Sequence, residues 1–478
     1  MVLLVGAATT PLGRAILGSW SFLLTRLLGI ASTIARAMQP NHWNACWLDL
    51  HYYCIMNTDF TLDHHYKSYP FNASPCQASE LATKGWNLLV NDLPFPLAVI
   101  SRSALAHNVA WMQDYAKRKG VAMAPHGKTT MSPQLFQQQL AAGAWGLSFA
   151  TVYQAAVGVE TGARRIIIAN QVVCDADFDA LVTLLTSHSD LRVWFLVDSL
   201  AQLALIEDWA TRRDVLAPFD VLLEMGIPGQ RTGCRTLEEA LILARALAMS
   251  PAVRFGGVEC YEGGVARCDS EHDAREVTAL VRRVTEVVRA CDAKNLFEGD
   301  ELLVTAGGSA VFDLVLPLLR LQDLARPMLG VLRSGCYITH DHGNYARFLR
   351  QLEKREGLDT SLRAALEVWT MVQSVPEPGL ALLTCGRRDI SYDLEMPLPQ
   401  RHAARGARQA IAVPADWKIS ALNDQHAYLR FDPAGLVPQV GDRVGLGISH
   451  PCTTFDKWRW LPLVEDDLSV TGAVSTRF

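Results

Sequence analysis

The residue of this chain best placed for covalent chemistry is a lysine that directly follows an apolar run. Lys128 lies in the motif APHGKT at residues 124–129, at the end of the apolar segment Val121–Pro125. A lysine amine that is partly shielded from water gives up its proton more easily and can then form a Schiff base with a carbonyl compound. An ordinary solvated lysine is the alternative. Lys128 is therefore a candidate nucleophilic amine.

Two glycine-rich motifs later in the chain are typical of anion binding. They are TAGGS at residues 305–309 and RSGCY at residues 333–337, and each follows an apolar segment. Backbone N–H groups in glycine turns form concave anion sites, to which a hydroxyl group adds a donor. Either motif alone is weak evidence, but the two together with the lysine predict a phosphate site.

An arginine and a tyrosine could line the same site. Arg231 lies in the motif EMGIPGQRTG at residues 224–233, and Tyr261 lies in the motif GVECYEGG at residues 257–264. A guanidinium group can pair with a carboxylate or a phosphate, and an aromatic ring can face a planar cofactor ring. A solvated surface arginine and a tyrosine packed in the core are the alternatives.

The motif SHPCTTFD at residues 449–456 offers ligands for a metal. Imidazole and thiolate groups are ligands of Zn²⁺ in proteins. His450 and Cys452 could reach one ion if the chain is extended there and Pro451 fixes the turn. Two protein ligands do not fill a zinc coordination shell, so another residue, water or substrate would complete it. The alternative is that both residues have no role in metal binding.

The motifs up to residue 337 belong to a repeated alternation of strands and helices. Continuous apolar segments alternate with amphipathic ones such as Ser103–Arg118, Leu237–Ala248 and Asp273–Ala290, which is typical of a parallel sheet covered by helices. When the first apolar segment, Leu97–Ile100, is set aside, eight strands remain, the number that closes a (β/α)₈ TIM-type barrel. The predicted barrel strands are Val121–Pro125, Gly146–Thr151, Arg165–Asn170, Leu191–Asp198, Phe219–Met225, Arg254–Tyr261, Glu301–Ala306 and Gly330–Gly335. Because active sites of such barrels lie where the strands end, we expect the candidate residues to meet there.

A second domain is expected after the barrel. Helical patterns fade beyond Val372, and short strand-like runs separated by proline and glycine follow, which predicts an antiparallel β domain. We therefore expect a barrel over residues 96–345 and a β domain carrying the metal motif over residues 346–478. Residues 81–95 could join the β domain. Residues 1–80 form an N-terminal extension of unknown role.

The N-terminal segment Pro11–Met38 is apolar and lacks acidic residues, but three arginines interrupt it. An integral membrane span is therefore not expected. A targeting peptide, a peripheral amphipathic helix and an extension without a role in the chemistry all fit this composition, and we favour the last.

Composition restricts the partners of the protein. The formal net charge of −5 is small for 478 residues and no block of like charges stands out, so neither nucleic acid nor an acidic membrane is an expected partner. A small-molecule substrate is expected instead. The 11 cysteines include no CxxC pair, which predicts reduced thiols and a cytoplasmic protein.

Taken together, the motifs resemble those of one enzyme family. The sequences that carry the likeness are APHGKTT at residues 124–130, GAWG at residues 143–146 and IANQV at residues 168–172. They are similar to the D-threonine aldolase and D-serine dehydratase group, which has the alanine-racemase-like barrel called fold type III of the pyridoxal-phosphate (PLP) enzymes. The likeness extends from about Phe95 to the C-terminus. GRRDISYD at residues 386–393 and NDQH at residues 423–426 resemble bacterial amino-acid deaminases of that group.

The resemblance implies a role for each candidate in the barrel. Lys128 would hold PLP as a Schiff base, Tyr261 would lie beside the pyridine ring, and Arg231 would line the pocket. The residues implied for the phosphate are Gly308, Ser309, Gly335 and Cys336. In many relatives a histidine follows the tyrosine of the sixth strand, whereas this chain has Glu262.

The metal motif indicates a branch of the group. His450 and Cys452 match the zinc-binding His-x-Cys of the D-serine dehydratase branch, whereas aldolase members more often have an aspartate in place of the cysteine. The resemblance thus implies a PLP- and zinc-dependent dehydratase that converts a D-3-hydroxyamino acid such as D-serine to a 2-oxo acid and ammonia. Related enzymes are dimers, so a homodimer is expected.

Other activities remain open on the same scaffold. D-threonine-aldolase-type cleavage to glycine and an aldehyde is the main alternative, and a racemase would need a second base and no metal. A non-catalytic PLP carrier is a lower alternative, since such carriers resemble the barrel alone. Here more than a hundred residues follow the barrel.

Overall fold

A computed structural model describes residues 59–299 and 301–478 of the protein. The three interpretations of Pro11–Met38 concern a segment outside these residues. The first described strands are β1 (Thr61–Leu62), β2 (Cys76–Gln77) and β3 (Leu97–Ser101). β1 and β2 pair in an antiparallel sheet of their own. In the part of the chain that the structure describes, no helix combines the length and the hydropathy needed to cross a membrane.

Eight parallel strands form a TIM-type barrel. They are β4 (Ala122–Met123), β5 (Leu147–Phe149), β6 (Arg165–Gln171), β7 (Arg192–Val197), β8 (Phe219–Met225), β9 (Val253–Cys260), β10 (Leu302–Ala306) and β11 (Met328–Leu332). Hydrogen bonds connect them in the order β4-β11-β10-β9-β8-β7-β6-β5. A parallel bridge between His126 and Ser148 joins the two ends of this order. The predicted barrel is therefore confirmed.

Helices cover the outside of the barrel. They are α1 (Arg102–Arg118), α2 (Pro133–Ala141), α3 (Val152–Glu160), α4 (Asp175–Ser187), α5 (Leu200–Arg213), α6 (Leu237–Met249), α7 (Ser270–Ala293) and α8 (Asn344–Glu356). Side-chain caps fix where several of them begin. At α6, for example, Thr236 accepts from the N–H of Glu239 and the Glu239 side chain accepts in return, which is a capping box.

A cluster of apolar side chains fills part of the interior of the barrel. Buried residues from five strands and from the end of β4 form a cluster separate from the outer core, namely Ala124, Ile167, Trp194, Leu196, Leu222, Leu303 and Val331. Packed side chains fill barrels of this size. A cavity is therefore expected at the C-terminal ends of the strands, beyond this cluster.

An antiparallel sheet follows the barrel, as predicted. Its strands are β12 (Leu366–Glu377), β13 (Leu380–Leu383), β14 (Leu398–Ala403), β15 (Ile411–Ala412), β16 (Lys418–Leu422), β17 (Ala427–Arg430), β18 (Arg443–Gly447), β19 (Trp460–Val464) and β20 (Val470–Ser475). β3 pairs with β12 and β19, so residues 97–101 lie in this sheet, although the predicted division placed them with the barrel. The chain enters the barrel only after β3.

One predicted boundary is wrong. Helical patterns were expected as far as Val372, but the strand β12 begins at Leu366. β12 pairs with β3, β13 and β18, and Val368, Trp369 and Thr370 are consecutive and buried. A strand covered on both faces loses the alternation of polar and apolar residues by which strands are recognised.

Candidate active site

Lys128 lies at the C-terminal end of the first barrel strand. It is the central residue of a 3-10 turn, Gly127–Thr129, that follows β4. A Cβ atom at Gly127 would overlap the rings of Phe149 and Phe136, so the turn can pack against these rings only with glycine at that position. Lys128 itself is exposed. The partial burial expected for its amine at the strand end is therefore not observed.

The predicted site residues surround Lys128. A cavity of about 480 Å³ at the ends of the barrel strands is lined by Lys128, Tyr261, Gly308, Ser309, Gly335, Cys336, His450 and Cys452. Arg231 lines a neighbouring cavity of about 270 Å³, of which Lys128 and Tyr261 also form part of the wall. The structure thus brings together residues that lie more than 300 positions apart in the sequence.

The two glycine motifs form adjacent loops in the large cavity. The amide of Cys336 donates to Ser309 Oγ at 3.0 Å, which links the loop after β11 to the loop after β10. A Cβ atom at Gly335 would lie 2.5 Å from the carbonyl oxygen of His126. The loop after β11 can therefore approach the Lys128 turn only because it has glycine there. A hydroxyl group and glycine turns beside an amine are suited to a phosphorylated carbonyl compound.

Tyr261 and Arg231 contact each other. The Arg231 guanidinium lies over the Tyr261 ring, 4.4 Å from its centroid, which is a cation–π geometry. Burial and the charge of Glu262 raise the pKa of Tyr261 to about 12. The phenol is therefore neutral at physiological pH, and Tyr261 lines both cavities.

The metal motif has a different backbone from the one expected. Pro451 has φ −57° and ψ −45° and precedes the short helix α9 (Cys452–Phe455), so the chain is helical and not extended at this point. The His450 Nδ1 atom donates to Asp393 Oδ2 at 2.6 Å. Burial would raise the pKa of Asp393, but hydrogen bonds from His450 and Thr453 hold it below its ordinary value.

Cys452 contacts a second thiol. Its Sγ atom lies 3.7 Å from Cys336 Sγ and 3.5 Å from Thr129 Oγ1. The hydrogen bond with Cys336 lowers the pKa of Cys452 to about 7, against the effect of burial, whereas the same contact and burial raise the pKa of Cys336. Cys452 is therefore the thiol of this pair that reaches the thiolate form near neutral pH, and the thiolate is the form that binds metals.

These donors fit a zinc ion with two protein ligands. Histidines that bind metals commonly hold a carboxylate with their other ring nitrogen, and His450 holds Asp393 with Nδ1. Among the residues that the structure describes, no group of three histidine, cysteine, aspartate or glutamate side chains is arranged to hold a metal ion. Water or substrate would have to supply the remaining ligands.

An Asp393→Asn protein is expected to bind zinc about 10- to 100-fold more weakly, since it loses the carboxylate that orients His450. Competition with a coloured zinc chelator measures this affinity. Asp424→Asn is the control, because Asp424 is an exposed carboxylate paired with Arg388 outside the site. Equal zinc affinity of the Asp393→Asn and wild-type proteins would contradict the orienting role.

A buried ion pair in the barrel was not predicted. Arg333 donates to Glu259, to Thr305 Oγ1 at 2.9 Å and to the carbonyl oxygen of Cys260 at 3.3 Å. Arg333 and Glu259 are nearly inaccessible to solvent. Burial raises the pKa of Glu259 to about 8, although Arg333 lowers it. Arg333 begins the motif RSGCY, so its place before a glycine turn was the available signal.

At pH 9, where Glu259 is ionised, replacement of Arg333 by methionine is expected to lower the free energy of unfolding by about 3 kcal/mol, because it leaves the Glu259 carboxylate buried without its partner. The loss should be larger at pH 9 than at pH 6, since Glu259 is ionised above its pKa of about 8 and protonated below it. Urea unfolding at both pH values measures this. The matched control is Arg388→Met, which breaks an exposed ion pair with Asp424 and should cost less than about 1 kcal/mol.

Two protein-family models match the chain. The alanine racemase N-terminal domain matches residues 100–332, and the putative serine dehydratase domain matches residues 365–464. Among curated proteins, a D-threonine aldolase from Arthrobacter sp. is 26% identical over 373 residues, which are 78% of this chain and 89% of the relative. A D-threo-3-hydroxyaspartate dehydratase from Delftia sp. is 30% identical over 179 residues, which are 37% of this chain and 46% of the relative.

Solved structures share the architecture. The D-threonine aldolase from Filomicrobium marinum superposes with a TM-score of 0.68 at 24% identity, covering 82% of this chain and 97% of that one. The D-threo-3-hydroxyaspartate dehydratase from Delftia sp. superposes with a TM-score of 0.63 at 20% identity, covering 82% and 99%. At these identities the likeness establishes the fold.

A parallel barrel with a lysine at the end of its first strand, followed by an antiparallel domain, defines the fold type III class. The chain combines an alanine racemase N-terminal domain with a D-serine dehydratase domain after the barrel, and its homologues are PLP enzymes of this class. PLP is the cofactor expected for that family. Its relatives are lyases and aldolases, so the prediction of an enzyme is confirmed and the carrier alternative is not supported.

Proposed function

We propose that this protein is a PLP- and zinc-dependent dehydratase that converts a D-3-hydroxyamino acid to a 2-oxo acid and ammonia. The observation that carries the proposal is the shared cavity, in which Lys128, two glycine loops, His450 and Cys452 lie together. Such an elimination needs three kinds of group: an amine, an anion site and a pair of metal ligands.

Lys128 would hold the cofactor and then act on the substrate. Bound PLP supplies an electron sink that makes the substrate Cα–H bond acidic. The Lys128 amine lies at the cavity wall and would accept the Cα proton of the substrate as general base. Its position at the end of β4, on a turn fixed by packing at Gly127, keeps that amine on one side of the cavity.

The remaining residues would bind and orient. Ser309 and the glycine turns at Gly308 and Gly335 would hold the phosphate, and the Tyr261 ring would lie beside the pyridine ring. Arg231, which contacts the Tyr261 face, would line the pocket. These assignments follow the family likeness and the lining of the two cavities.

His450 and Cys452 would hold zinc close to the substrate. Bound zinc would supply a Lewis acid for the departing β-hydroxyl group, which is otherwise a poor leaving group. Asp393 keeps His450 oriented, and Thr129 Oγ1 contacts the Cys452 sulfur. A cysteine at this position, together with the serine dehydratase domain match, favours elimination over aldol cleavage.

Aldol cleavage to glycine and an aldehyde is the second candidate, because relatives with that activity match most of the chain. Incubation of the purified protein with D-threonine separates the two. Formation of 2-oxobutanoate and ammonia supports the dehydratase, whereas glycine and acetaldehyde support the aldolase. D-serine, D-threonine and D-3-hydroxyaspartate should be assayed with and without a chelator. Activity that survives complete removal of zinc would overturn the zinc-dependent mechanism.

The assembly and location of the protein complete the proposal. We expect a homodimer, and a set of exposed apolar side chains supports an interface: Tyr392, Leu394, Met396 and Leu398 occur at alternate positions and are 36–47% exposed. Leu394 also lines the cavity. Light scattering of the purified protein measures its mass. We also expect a cytoplasmic enzyme, since the described cysteines are all free thiols.

A further inference from the structure

Glu262 occupies an unusual position behind one of the glycine loops. It directly follows Tyr261 at the end of β9, and its side chain is completely buried. Its neighbours Tyr261 and Gly263 line the large cavity, as do Gly307 and Gly308. Glu262 Oε1 accepts from the amide of Gly308 at 2.6 Å, and Oε2 accepts from the amide of Gly307 at 3.1 Å. Glu262 itself does not line the cavity, so its carboxylate binds the loop from outside the cavity lining.

The two amides form an anion site that the protein fills with its own carboxylate. Gly307 has φ +104°, a left-handed conformation that favours glycine. Successive N–H groups in such a turn converge on an anion, and hydrogen bonds from an amide to a carboxylate are stronger than those between neutral groups. While they donate to Glu262, these amides are not available to a ligand in the cavity.

Other hydrogen bonds fix the rest of the loop. The Ser334 hydroxyl donates to the carbonyl oxygen of Gly308 at 2.7 Å, and Ser309 Oγ accepts from the amide of Cys336. The loop is thus held at the amides of Gly307 and Gly308, at the Gly308 carbonyl and at the Ser309 side chain. Of these contacts, only those from Glu262 involve a charged group, so they should dominate the stiffness of the loop.

We propose that Glu262 is a positioning residue for the cofactor phosphate: by binding the Gly307 and Gly308 amides, it sets the loop so that Ser309 faces the phosphate. This inference rests on the proposed PLP site. It refines the role of Gly308: the Gly308 turn would border the phosphate while its amide donates to Glu262. It also explains why a carboxylate is tolerated next to a phosphate site. Glu262 does not line the cavity, and the amides of Gly307 and Gly308 lower the pKa of its carboxyl group, although burial raises that pKa above its ordinary value.

The test compares cofactors with and without a phosphate group. A Glu262→Gln side chain has the same size but keeps only one acceptor oxygen, so one loop amide loses its partner. We expect the Kd of PLP to rise at least about 10-fold, the equivalent of one charge-assisted hydrogen bond. The Kd of pyridoxal, which lacks the phosphate, should stay within about 2-fold of the wild-type value. Absorbance titration of the cofactor-free protein measures both constants.

Asp292→Asn is the matched control. Asp292 is also buried and accepts from a backbone amide, that of Ala325 at 2.6 Å, but this contact lies before β11, at the opposite end of the barrel. Its replacement should leave the ratio of the two Kd values unchanged. If Glu262→Gln weakens the binding of PLP and of pyridoxal equally, or changes the binding of neither, the role of Glu262 is only structural and the inference is wrong.

A second variant covers the case in which Glu262→Gln does not fold. Ser334→Ala removes the neutral hydrogen bond to the Gly308 carbonyl, and it should raise the Kd of PLP by a smaller factor while leaving that of pyridoxal unchanged. An unchanged ratio in this variant contradicts the loop mechanism. A wild-type protein that binds pyridoxal as tightly as PLP would refute the phosphate site itself, and with it the proposed function.

Discussion

A Lys128→Ala protein is expected to lose the visible absorbance of bound PLP and at least about 10³-fold in the rate of ammonia formation. The loss is large because one amine would serve both as the attachment point of the cofactor and as the general base. Borohydride reduction followed by mass spectrometry should place the cofactor on Lys128 in the wild-type protein. Absorbance and the rate of ammonia release from D-serine or D-threonine measure the effect in the variant.

The control for this experiment is Lys117→Ala. Lys117 is an exposed lysine in the last turn of α1, and its removal should change neither absorbance nor rate. Addition of methylamine to Lys128→Ala should restore part of the activity if the missing group is a base. Full activity and an unchanged spectrum in Lys128→Ala would refute the assignment of the catalytic lysine.

The second large effect is expected at the metal motif. Cys452→Ala should reduce bound zinc from one ion per chain to almost none, because only His450 would remain as a protein ligand. Elimination should slow by about 10²- to 10³-fold, which corresponds to the few kcal/mol that a Lewis acid supplies to a leaving group. The absorbance of PLP should persist, since Lys128 is untouched. Metal analysis and the rate of ammonia release measure both quantities.

The pH dependence of zinc binding provides a further check on Cys452. With a pKa of about 7, its thiol is protonated below that pH, and protonation competes with the metal. The zinc affinity of the wild-type protein should therefore fall as the pH decreases from 8 to 6. Cys174→Ser, which replaces an exposed cysteine, should retain wild-type zinc content and rate. Retention of zinc by Cys452→Ala would refute the metal assignment.

Much of the architecture was predictable because it depends on local patterns. The alternation of apolar and amphipathic segments predicted the barrel, and β8 (Phe219–Met225) was predicted to the residue. Short barrel strands such as β4 (Ala122–Met123) were predicted too long, since apolar residues continue beyond the last ladder hydrogen bond. The beginning of β12 was not predicted. Its conformation depends on pairing with other strands and on packing on several sides, and not on its own sequence pattern.

The sequence alone determined which residue types could do chemistry and that parallel strands would bring them to one end of a barrel. Tertiary structure decided how those residues meet: the contact of Cys336 with Cys452, the hydrogen bond from His450 to Asp393 and the binding of the Gly307 and Gly308 amides by Glu262. The physical reason is that hydrogen bonds and pKa shifts depend on distances of a few ångströms between side chains. Such distances join segments far apart in the chain, and only the packing of the folded molecule sets them.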